Sequence, residues 1–295
     1  METDEIIYRK LAEMLQQQIG LNPDSVGLRS ISRAVKQEMR IARQLDLADY
    51  WSALQASTDR LSALIEAVVV LETSFFRNRG SFTFLRQWVS QEWPRQRCLR
   101  VLSLGCSTGE EPYSTAITLL EEGLTFDQFQ IDAVDISARA LEKAKRGIYS
   151  PYAFRRQTYR SDDPYFTLGI PEGVSQGKRA TQRYFLAAAV REQVNFYQGN
   201  AIDPQLLADQ PPYDVVFCCN LLASFDRVAR NRAIAKLDQL LLPNGLLFLG
   251  NTEMKLIDSP HYQIVPYPQT FAYRKIADAA RLETPVSEYQ SISTH

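Results

Sequence analysis

The chain has 295 residues, a length that corresponds to one large domain or two smaller ones. Its formal net charge is −1, so no overall field favours nucleic acid or a membrane surface, and a charged partner requires a local patch. Apolar residues form 45% of the chain, which is enough for a packed core.

The beginning of the chain lacks the apolar core of a signal peptide. The longest apolar run, residues 61–71, contains Glu66 and is too short to cross a bilayer. The cysteines show no C-x-x-C spacing; they are Cys98, Cys106, Cys218 and Cys219. We therefore expect a cytoplasmic protein with reduced thiols, no metal site and no direct membrane insertion.

Residues 1–90 show the apolar periodicity of α-helices throughout. The predicted helices cover about 6–19, 29–45, 49–56 and 60–72. Gly20 and the pair Asn22-Pro23 predict the end of the first helix. We expect a small all-helical N-terminal domain over residues 1–90.

From residue 91 to about 277, short apolar runs alternate with helical segments. The predicted strands are 99–105, 129–136, 194–200, 213–220, 246–251 and 269–275, and the predicted helices end near residues 122, 149 and 241. This alternation is typical of an α/β fold with a mostly parallel sheet and helices on both faces. A turn at 243–245 precedes the last two strands, and these two are able to pair antiparallel because no helix separates them.

The segment 148–190 is irregular, aromatic and basic. Open α/β sheets bind ligands at the carboxyl ends of their strands, so a lid that faces the substrate is one interpretation of this segment. A solvated loop is the other, and the residues do not decide between them. The polar residues 278–295 predict a disordered tail.

The first predicted strand ends in a glycine loop, Gly105-Cys-Ser-Thr-Gly109. Glycine lets the backbone turn tightly and approach a ligand closely, although an ordinary strand-to-helix turn has the same pattern. No Gly-Lys-Ser/Thr follows, so the loop is not a P-loop. Glu110 and Glu111 occupy the helix start where a pyrophosphate would bind, and they favour a cationic ligand instead.

Asp135 ends the next strand, where an acidic side chain is able to accept hydrogen bonds from both hydroxyls of a ribose. A ligand that has a ribose, carries positive charge and lacks phosphate is S-adenosylmethionine. The loop, its glutamates and Asp135 together predict that cofactor.

Several motifs resemble those of the CheR-type chemoreceptor glutamate methyltransferases. Residues 105–114, GCSTGEEPYS, are similar to the S-T-G-E-E-P-Y-S loop of that family, and residues 73–82, TSFFRNRGSF, to its T-x-F-F-R segment. The stretches VDIS with LEKAKRGIY, YDVVFCCN and LLPNGLLFLGNTE resemble three further family motifs. The resemblance extends, with gaps, from about residue 10 to about residue 275.

The resemblance implies a Rossmann-like S-adenosylmethionine-dependent methyltransferase domain over residues 91–277, preceded by a small all-helical N-terminal domain. It implies methyl transfer to glutamate side chains of chemoreceptor-like signalling proteins. Cofactor contacts are expected at Thr73, Arg77, Gly105, Glu110, Asp135, Asn200, Ala201, Cys219 and Asn220.

The chain departs from the family pattern at three positions. Leu71 replaces an Asn, Cys219 replaces the Arg of F-C-R-N, and Ser224 replaces an aromatic residue. A cysteine cannot replace the five donors of a guanidinium. Two other functions therefore stay open: a catalytically weak signalling module that binds S-adenosylmethionine or S-adenosylhomocysteine, and a small-molecule carboxyl methyltransferase.

Methyl transfer to a carboxylate needs no general base, because a glutamate with a pKa of about 4.3 is already ionised at neutral pH. The only histidines are His261 and His295, and neither has a recognisable catalytic setting. We therefore expect no catalytic base. Arg77 and the Tyr and Arg residues of 150–160 are candidates for steering the acceptor carboxylate.

Five basic residues recur at intervals of four and three: Arg29, Arg33, Lys36, Arg40 and Arg43. This spacing predicts that they share one helical face. A solvated face is one interpretation, and a docking surface for the acidic helical cytoplasmic region of a chemoreceptor-like protein is the other. No aromatic residues interleave with the basic ones, so nucleic acid is a poor match and is not expected as a partner.

Overall fold

The structure is a computed structural model that describes residues 2–154, 164–171 and 182–276. The helices of these residues are α1 (Glu2–Ile19), α2 (Pro23–Val26), α3 (Leu28–Ile41), α4 (Leu47–Gln55), α5 (Thr58–Val68), α6 (Arg79–Gln91), α7 (Glu110–Glu121), α8 (Ala138–Arg146), α9 (Ala188–Arg191) and α10 (Arg227–Leu240). The strands are β1 (Leu99–Leu104), β2 (Phe129–Asp135), β3 (Ile148–Tyr149), β4 (Phe166–Gly169), β5 (Arg183–Leu186), β6 (Val194–Gln198), β7 (Tyr213–Cys218), β8 (Leu241–Leu249), β9 (Tyr262–Ile264) and β10 (Ala272–Lys275).

A seven-stranded sheet has the order β6-β2-β1-β7-β8-β10-β9. The first five strands in that order run parallel, while β10 pairs antiparallel with both β8 and β9. The predicted Rossmann-like α/β fold and the antiparallel pairing of its last strands are confirmed. β1 and β7 are neighbours in the sheet. From β1 the chain continues outward to β2 and β6, and from β7 it continues outward in the opposite direction to β8. This reversal of strand order creates a topological switch point between β1 and β7.

Helices cover both faces of the parallel strands. Successive side chains of a strand point to opposite faces and therefore pack into different apolar cores. In β1, Val101 packs into one core and Leu102 into the other, and in β7 Phe217 and Val216 alternate in the same way. α6 and α7 cover the first face and α10 covers the second. Burial on both faces explains why these strands are continuous apolar runs in the sequence.

The first five helices pack around a third apolar core, which ends with Val68 of α5. α6 belongs elsewhere, because its Phe82, Leu85 and Trp88 pack into the core of the sheet. This packing favours a boundary near residue 70 rather than the predicted boundary at residue 90, and we propose the earlier position.

The segment predicted to be irregular contains regular structure. β3, β5 and β4 form a separate three-stranded antiparallel sheet, in that order. The described part of the segment is therefore not a plain loop, and its role as a lid stays a prediction. Residues 155–163 and 172–181 lie outside the described residues, as does the predicted tail at 278–295.

The predicted helix over 29–45 is too long, since α3 ends at Ile41. Arg43 follows it in the left-handed region with a φ of 53°, so it is not on the helical face predicted for it. The reason is local: the Asp46 side chain accepts hydrogen bonds from two backbone N–H groups and begins α4 at the next residue. Four of the five predicted basic residues therefore remain on α3.

Further boundaries differ from the prediction, among them the helix predicted to end near residue 149, which ends at Arg146. α5 ends at Val68 rather than near residue 72, and the backbone is extended from Val69. The turn predicted at 243–245 is an irregularity within β8, where the register against β7 shifts and Asn244 has a φ of 64°.

The helical core meets the sheet at a tight junction between the end of α1 and the start of α10. The Asp226 N–H donates to the Gly20 carbonyl at 2.9 Å, and the Asn22 N–H donates to the Ser224 carbonyl at 2.8 Å. Gly20 has a φ of 72°, and a Cβ on it would lie 2.4 Å from the Cβ of Ala229. A glycine is required here for both backbone conformation and space.

None of the described helices is both long and apolar enough to pass through a lipid bilayer.

We expect Gly20→Ala to destabilise the protein more than Gly27→Ala. Both residues have a positive φ, which costs an alanine about 1–2 kcal/mol. Only Gly20 also faces a close contact, since a Cβ on Gly27 meets nothing within 4 Å. Overpacking adds about 1–3 kcal/mol, so urea denaturation should show that difference between the variants. Equal losses in the two variants would contradict a tight junction at Gly20.

Candidate functional site

A cavity of about 390 Å³ lies at the carboxyl ends of the parallel strands, next to the switch point between β1 and β7. This position is the usual ligand site of an open α/β sheet, and the volume suits a small molecule. The walls come from the strand ends and from the helical N-terminal part of the chain.

Eight of the nine residues expected to contact the cofactor line this cavity: Thr73, Arg77, Gly105, Asp135, Asn200, Ala201, Cys219 and Asn220. The fold thus gathers side chains that are far apart in the sequence. Glu110 is the exception, and its neighbour Glu111 lines the cavity instead. The ligand contacts of all these residues stay predictions.

The glycine loop turns away from β1 through residues in the left-handed region. Gly105 has a φ of 80° and Gly109 a φ of 93°, and Ser107 between them has a φ of 51°. A Cβ on Gly109 would lie 2.8 Å from the Cβ of Ala144 in α8. The loop therefore needs glycine to pack this closely against its neighbours.

The Asp135 carboxylate holds this loop in place from the end of β2. It accepts hydrogen bonds from the Ser107 N–H at 2.7 Å and from the Ser137 N–H at 2.9 Å. Burial raises its pKa, against the effect of these two bonds. A carboxylate has about four lone-pair sites, so two remain for hydroxyl groups of a ligand.

Ser107 supports a fit to a ligand with hydroxyl groups. It lines the cavity, and its buried Oγ has no hydrogen-bond partner among the described residues. A buried hydroxyl without a partner is unfavourable unless a ligand or water satisfies it. The ribose of S-adenosylmethionine fits this pair of side chains, Asp135 and Ser107.

The two glutamates at the start of α7 point in different directions, because adjacent helical residues are about 100° apart. Glu110 is buried, and its carboxylate accepts a hydrogen bond from the Thr108 hydroxyl at 2.7 Å, outside the cavity lining. The Glu111 carboxylate accepts a hydrogen bond from the Ser103 hydroxyl at 2.7 Å. Burial raises the pKa of each carboxyl to about 7. Glu111 rather than Glu110 therefore lines the cavity, while the cation contact predicted for Glu110 stays a prediction.

Glu253 organises the loop after β7, and the sequence analysis did not single it out. Its fully buried carboxylate accepts hydrogen bonds from the N–H groups of Asn220 at 2.6 Å, Gly250 at 2.8 Å and Ala223 at 2.9 Å. Asn220 has a φ of 64°, so this loop is held in a conformation that few residues adopt freely. The loop also contains Cys219, another lining residue.

The helical part of the chain closes one side of the cavity. Ile19, Leu21 and Val68 supply an apolar wall beside Ile136. An apolar wall beside a few polar groups is typical of small-molecule sites.

Glu66 of α5 ties this helical wall to the sheet. Its carboxylate accepts hydrogen bonds from the Ser137 hydroxyl and from the Arg139 N–H, at the start of α8. Ser137 is also a donor to Asp135, so Glu66 lies one residue away from the predicted ribose contact. The sequence showed Glu66 only as a charge within an apolar helix.

The T-x-F-F-R segment serves both the core and the cavity. Phe75 is buried and stacks on Phe154 with ring centroids 4.8 Å apart, which is a core role. Arg77 lines the cavity and donates to the Glu72 carbonyl at 2.8 Å. No carboxylate lies within 4.0 Å of Arg77 in the described ranges, so its guanidinium is available to a ligand.

Two of the three departures from the family pattern lie at the cavity. Cys219 and Ser224 line it, whereas Leu71 does not. The Cys219 thiol lies near the Glu111 carboxylate and donates its hydrogen bond to the Phe248 carbonyl at 3.8 Å. Glu111 therefore lies beside the thiol of Cys219, at the position where the family motif has the guanidinium of an arginine.

Four predicted partner contacts form an exposed surface on α3, the α3 basic face: Arg29, Arg33, Lys36 and Arg40. They line a shallow groove against Asp4, Glu5 and Tyr8 of α1. Arg43 is exposed as well but lies beyond the helix. Most of the Tyr and Arg residues of 150–160 lie outside the described residues.

Within the described ranges, no group of three or more His, Cys, Asp and Glu side chains is arranged to hold a metal ion.

Residues 71–269 match the model of a protein family described as "CheR methyltransferase, SAM binding domain". The chain is 41% identical over 279 residues to a protein of Pseudomonas aeruginosa named "Probable biofilm formation methyltransferase WspC", a match that covers 94% of this chain and 64% of that protein. It is 39% identical over 278 residues to the protein of the same name from Pseudomonas putida, a match that covers 93% of this chain and 63% of that protein. The chain thus spans less than two thirds of the length of these two relatives.

A third relative is "Chemotaxis protein methyltransferase 2" of Vibrio cholerae, 31% identical over 252 residues, with 83% of this chain and 84% of that protein covered. The family match includes the glycine loop, Asp135 and the strand-end loops that form the cavity. The resemblance seen in the motifs is confirmed, and so is the cofactor that it implied. The chain belongs to the CheR methyltransferase family and carries its S-adenosylmethionine-binding domain.

Proposed function

We propose that this protein transfers a methyl group from S-adenosylmethionine to glutamate side chains of chemoreceptor-like signalling proteins. The observation that carries the proposal is the cavity at the switch point, which gathers Asp135, Ser107, Glu111 and Arg77 around a space of about 390 Å³. The relatives named as chemotaxis methyltransferases support the same assignment.

When bound, the cofactor supplies an electrophilic methyl group. The chain's own residues would bind and orient the two reactants. Asp135 and Ser107 would hold the ribose, Glu111 would face positive charge, and the helical wall would exclude water from the site. Exclusion of water favours a reaction in which a carboxylate and a sulfonium neutralise each other.

Arg77 would act on a carboxylate, either that of the acceptor or that of the cofactor's methionine part. Within the described residues its guanidinium donates to one backbone carbonyl, which leaves further donors for a ligand. No general base is required, because the acceptor glutamate is ionised at neutral pH. The buried acids near the cavity are therefore not assigned a proton-transfer role in the methyl transfer.

The α3 basic face is the proposed docking surface for the acceptor. Four exposed cations on one helix attract an acidic helical bundle, while the chain as a whole is nearly neutral. Exposed charges of this kind act mainly on the rate of encounter.

The direct test is transfer of labelled methyl groups from S-adenosylmethionine to receptor fragments, with matched fragments whose glutamates are replaced by alanine. Label on the glutamate-containing fragments alone is the expected result. Cofactor binding without transfer to any acceptor would favour a signalling module. Transfer to small acids but not to receptor fragments would favour a small-molecule methyltransferase.

Asp135→Ala should weaken both S-adenosylmethionine and S-adenosylhomocysteine by a similar factor, because both ligands carry the ribose. A hydrogen bond to a charged group contributes about 1.5–3 kcal/mol, which corresponds to roughly a tenfold to hundredfold loss of affinity. Titration calorimetry on the folded variant measures the affinity for each ligand. An unchanged affinity for either ligand would remove Asp135 from the ribose site.

Replacing Arg33, Lys36 and Arg40 together by Glu should lower kcat/KM for receptor fragments strongly at low salt and less at high salt, because salt screens exposed charges. Cofactor affinity should not change. The matched control reverses three exposed cations elsewhere in the chain, Arg227, Arg232 and Lys255. Equal effects of the two triple variants, or none from the first, would contradict docking on the α3 basic face.

A further inference from the structure

Glu66 is a charged residue in the last turn of α5, within an otherwise apolar stretch between Ile65 and Ala67. A carboxylate near the C-terminus of its own helix is unfavourable, because that end of the helix dipole is negative. Its side chain is nevertheless only 20% exposed. A partly enclosed charge at this position requires a compensating contact outside α5.

The compensating contact is the start of α8, which is the positive end of another helix. The Glu66 carboxylate accepts hydrogen bonds from the Ser137 hydroxyl and from the Arg139 N–H, the latter at 3.2 Å. The Arg139 guanidinium also donates to the backbone carbonyl of Glu66 at 3.0 Å. These bonds join residues that are 71 and 73 positions apart in the chain and fix α5 to the first turn of α8.

Ser137 connects Glu66 to the predicted ribose contact. It is fully buried, and its N–H donates to the Asp135 carboxylate at 2.9 Å while its hydroxyl donates to Glu66. The hydroxyl oxygen also accepts a hydrogen bond from the Ala140 N–H at 3.0 Å. Burial raises the pKa of Asp135, and the negative charge of Glu66 raises it further, so the two acids are close enough to influence each other. The turn from Asp135 to Ser137 is therefore held from both ends.

The helical part has other attachments to the sheet, and these lie on the β7 side of the cavity. The Gln16 side chain donates to the Asp226 carboxylate at 2.7 Å, near the backbone bonds at Gly20. These bonds keep the helical part joined to the sheet without Glu66. The contact of Glu66 lies on the β2 side instead, at the turn that carries Asp135.

We propose that Glu66 is a positioning residue for the cofactor: it holds Ser137, and through it the Asp135 carboxylate, in the orientation that receives the ribose. The helical part thus contributes to the ribose site as well as to the apolar wall. Glu66 itself is outside the cavity lining, so it acts through its neighbours and not by contact with the ligand. The inference rests on the ribose contact proposed for Asp135 and not on the identity of the acceptor.

The experiment is a double-mutant cycle on ligand affinity, measured by titration calorimetry of the whole chain with S-adenosylhomocysteine. This ligand carries the ribose and gives no turnover. Glu66→Ala should weaken binding roughly tenfold in the unaltered protein, which is within the range for residues of one hydrogen-bond network. In a protein that already carries Asp135→Ala, the same substitution should change the affinity by less than about twofold.

Gln16→Ala is the matched control. It also removes a side-chain hydrogen bond between the helical part and the sheet, but away from Asp135, so the affinity should stay within about twofold of the unaltered protein. Glu66→Gln is the conservative variant. It keeps the shape of the side chain and an oxygen that is able to accept from the Arg139 N–H, so it should recover part of the affinity that Glu66→Ala loses.

Amide hydrogen exchange of the ligand-free protein reports the position of the turn independently of binding. The Ser107 and Ser137 N–H groups donate to Asp135 and not to Glu66. Glu66→Ala should nevertheless speed their exchange, because Asp135 is then less firmly held, whereas Gln16→Ala should not. Thermal unfolding of each variant confirms that folded proteins are compared.

A loss from Glu66→Ala that persists in the Asp135→Ala background would overturn the proposal, because Glu66 would then act through the apolar wall or through overall stability. Unchanged affinity or unchanged exchange in Glu66→Ala would overturn it as well, as would an equal loss in Gln16→Ala or a Glu66→Gln variant that recovers nothing. Full affinity in Asp135→Ala alone would remove the ribose contact and the inference with it. The single variant at Asp135 thus distinguishes a failure of the proposed ribose site from a failure of its coupling to Glu66.

Discussion

The Asp135 carboxylate accepts hydrogen bonds from the Ser107 N–H in the glycine loop and from the Ser137 N–H at the start of α8. These two bonds connect the ends of β1 and β2 to the helix that follows. Ser137 in turn donates its hydroxyl to Glu66 of the helical part. One buried acid therefore links three segments of the cavity, and the position of the glycine loop depends on it.

The cavity is a joint product of the sheet and the helical part. The sheet supplies the polar strand ends, and α1 and α5 supply an apolar wall through Ile19 and Val68. The tight contact at Gly20 and the Glu66 bonds hold the two parts together on different sides. We expect a substitution at either contact to change cofactor affinity by altering the shape of the cavity, because neither contact involves the cofactor directly.

Acids dominate the surroundings of the cavity. Burial raises the pKa of Glu110, Glu111 and Asp135, while Glu253 uses its carboxylate to hold three backbone N–H groups. A cluster of enclosed acids repels an anionic ligand such as a pyrophosphate and favours a cationic one. This electrostatic character distinguishes the site from the phosphate-binding loops that share its strand-to-helix turn.

The sequence by itself determined the α/β class and the mostly parallel sheet, because strands buried on both faces are continuous apolar runs and the intervening helices keep their own period. It also located the glycine loop and Asp135, since a left-handed turn and a strand-end acid are local features. Only the tertiary structure decided which glutamate lines the cavity, because Glu110 and Glu111 are adjacent and differ only in direction around α7. The structure also decided that Arg43 lies beyond the end of α3, because the neighbouring α4 begins soon after it. The role of Glu66 likewise depends on a contact with Ser137, which is distant in the chain.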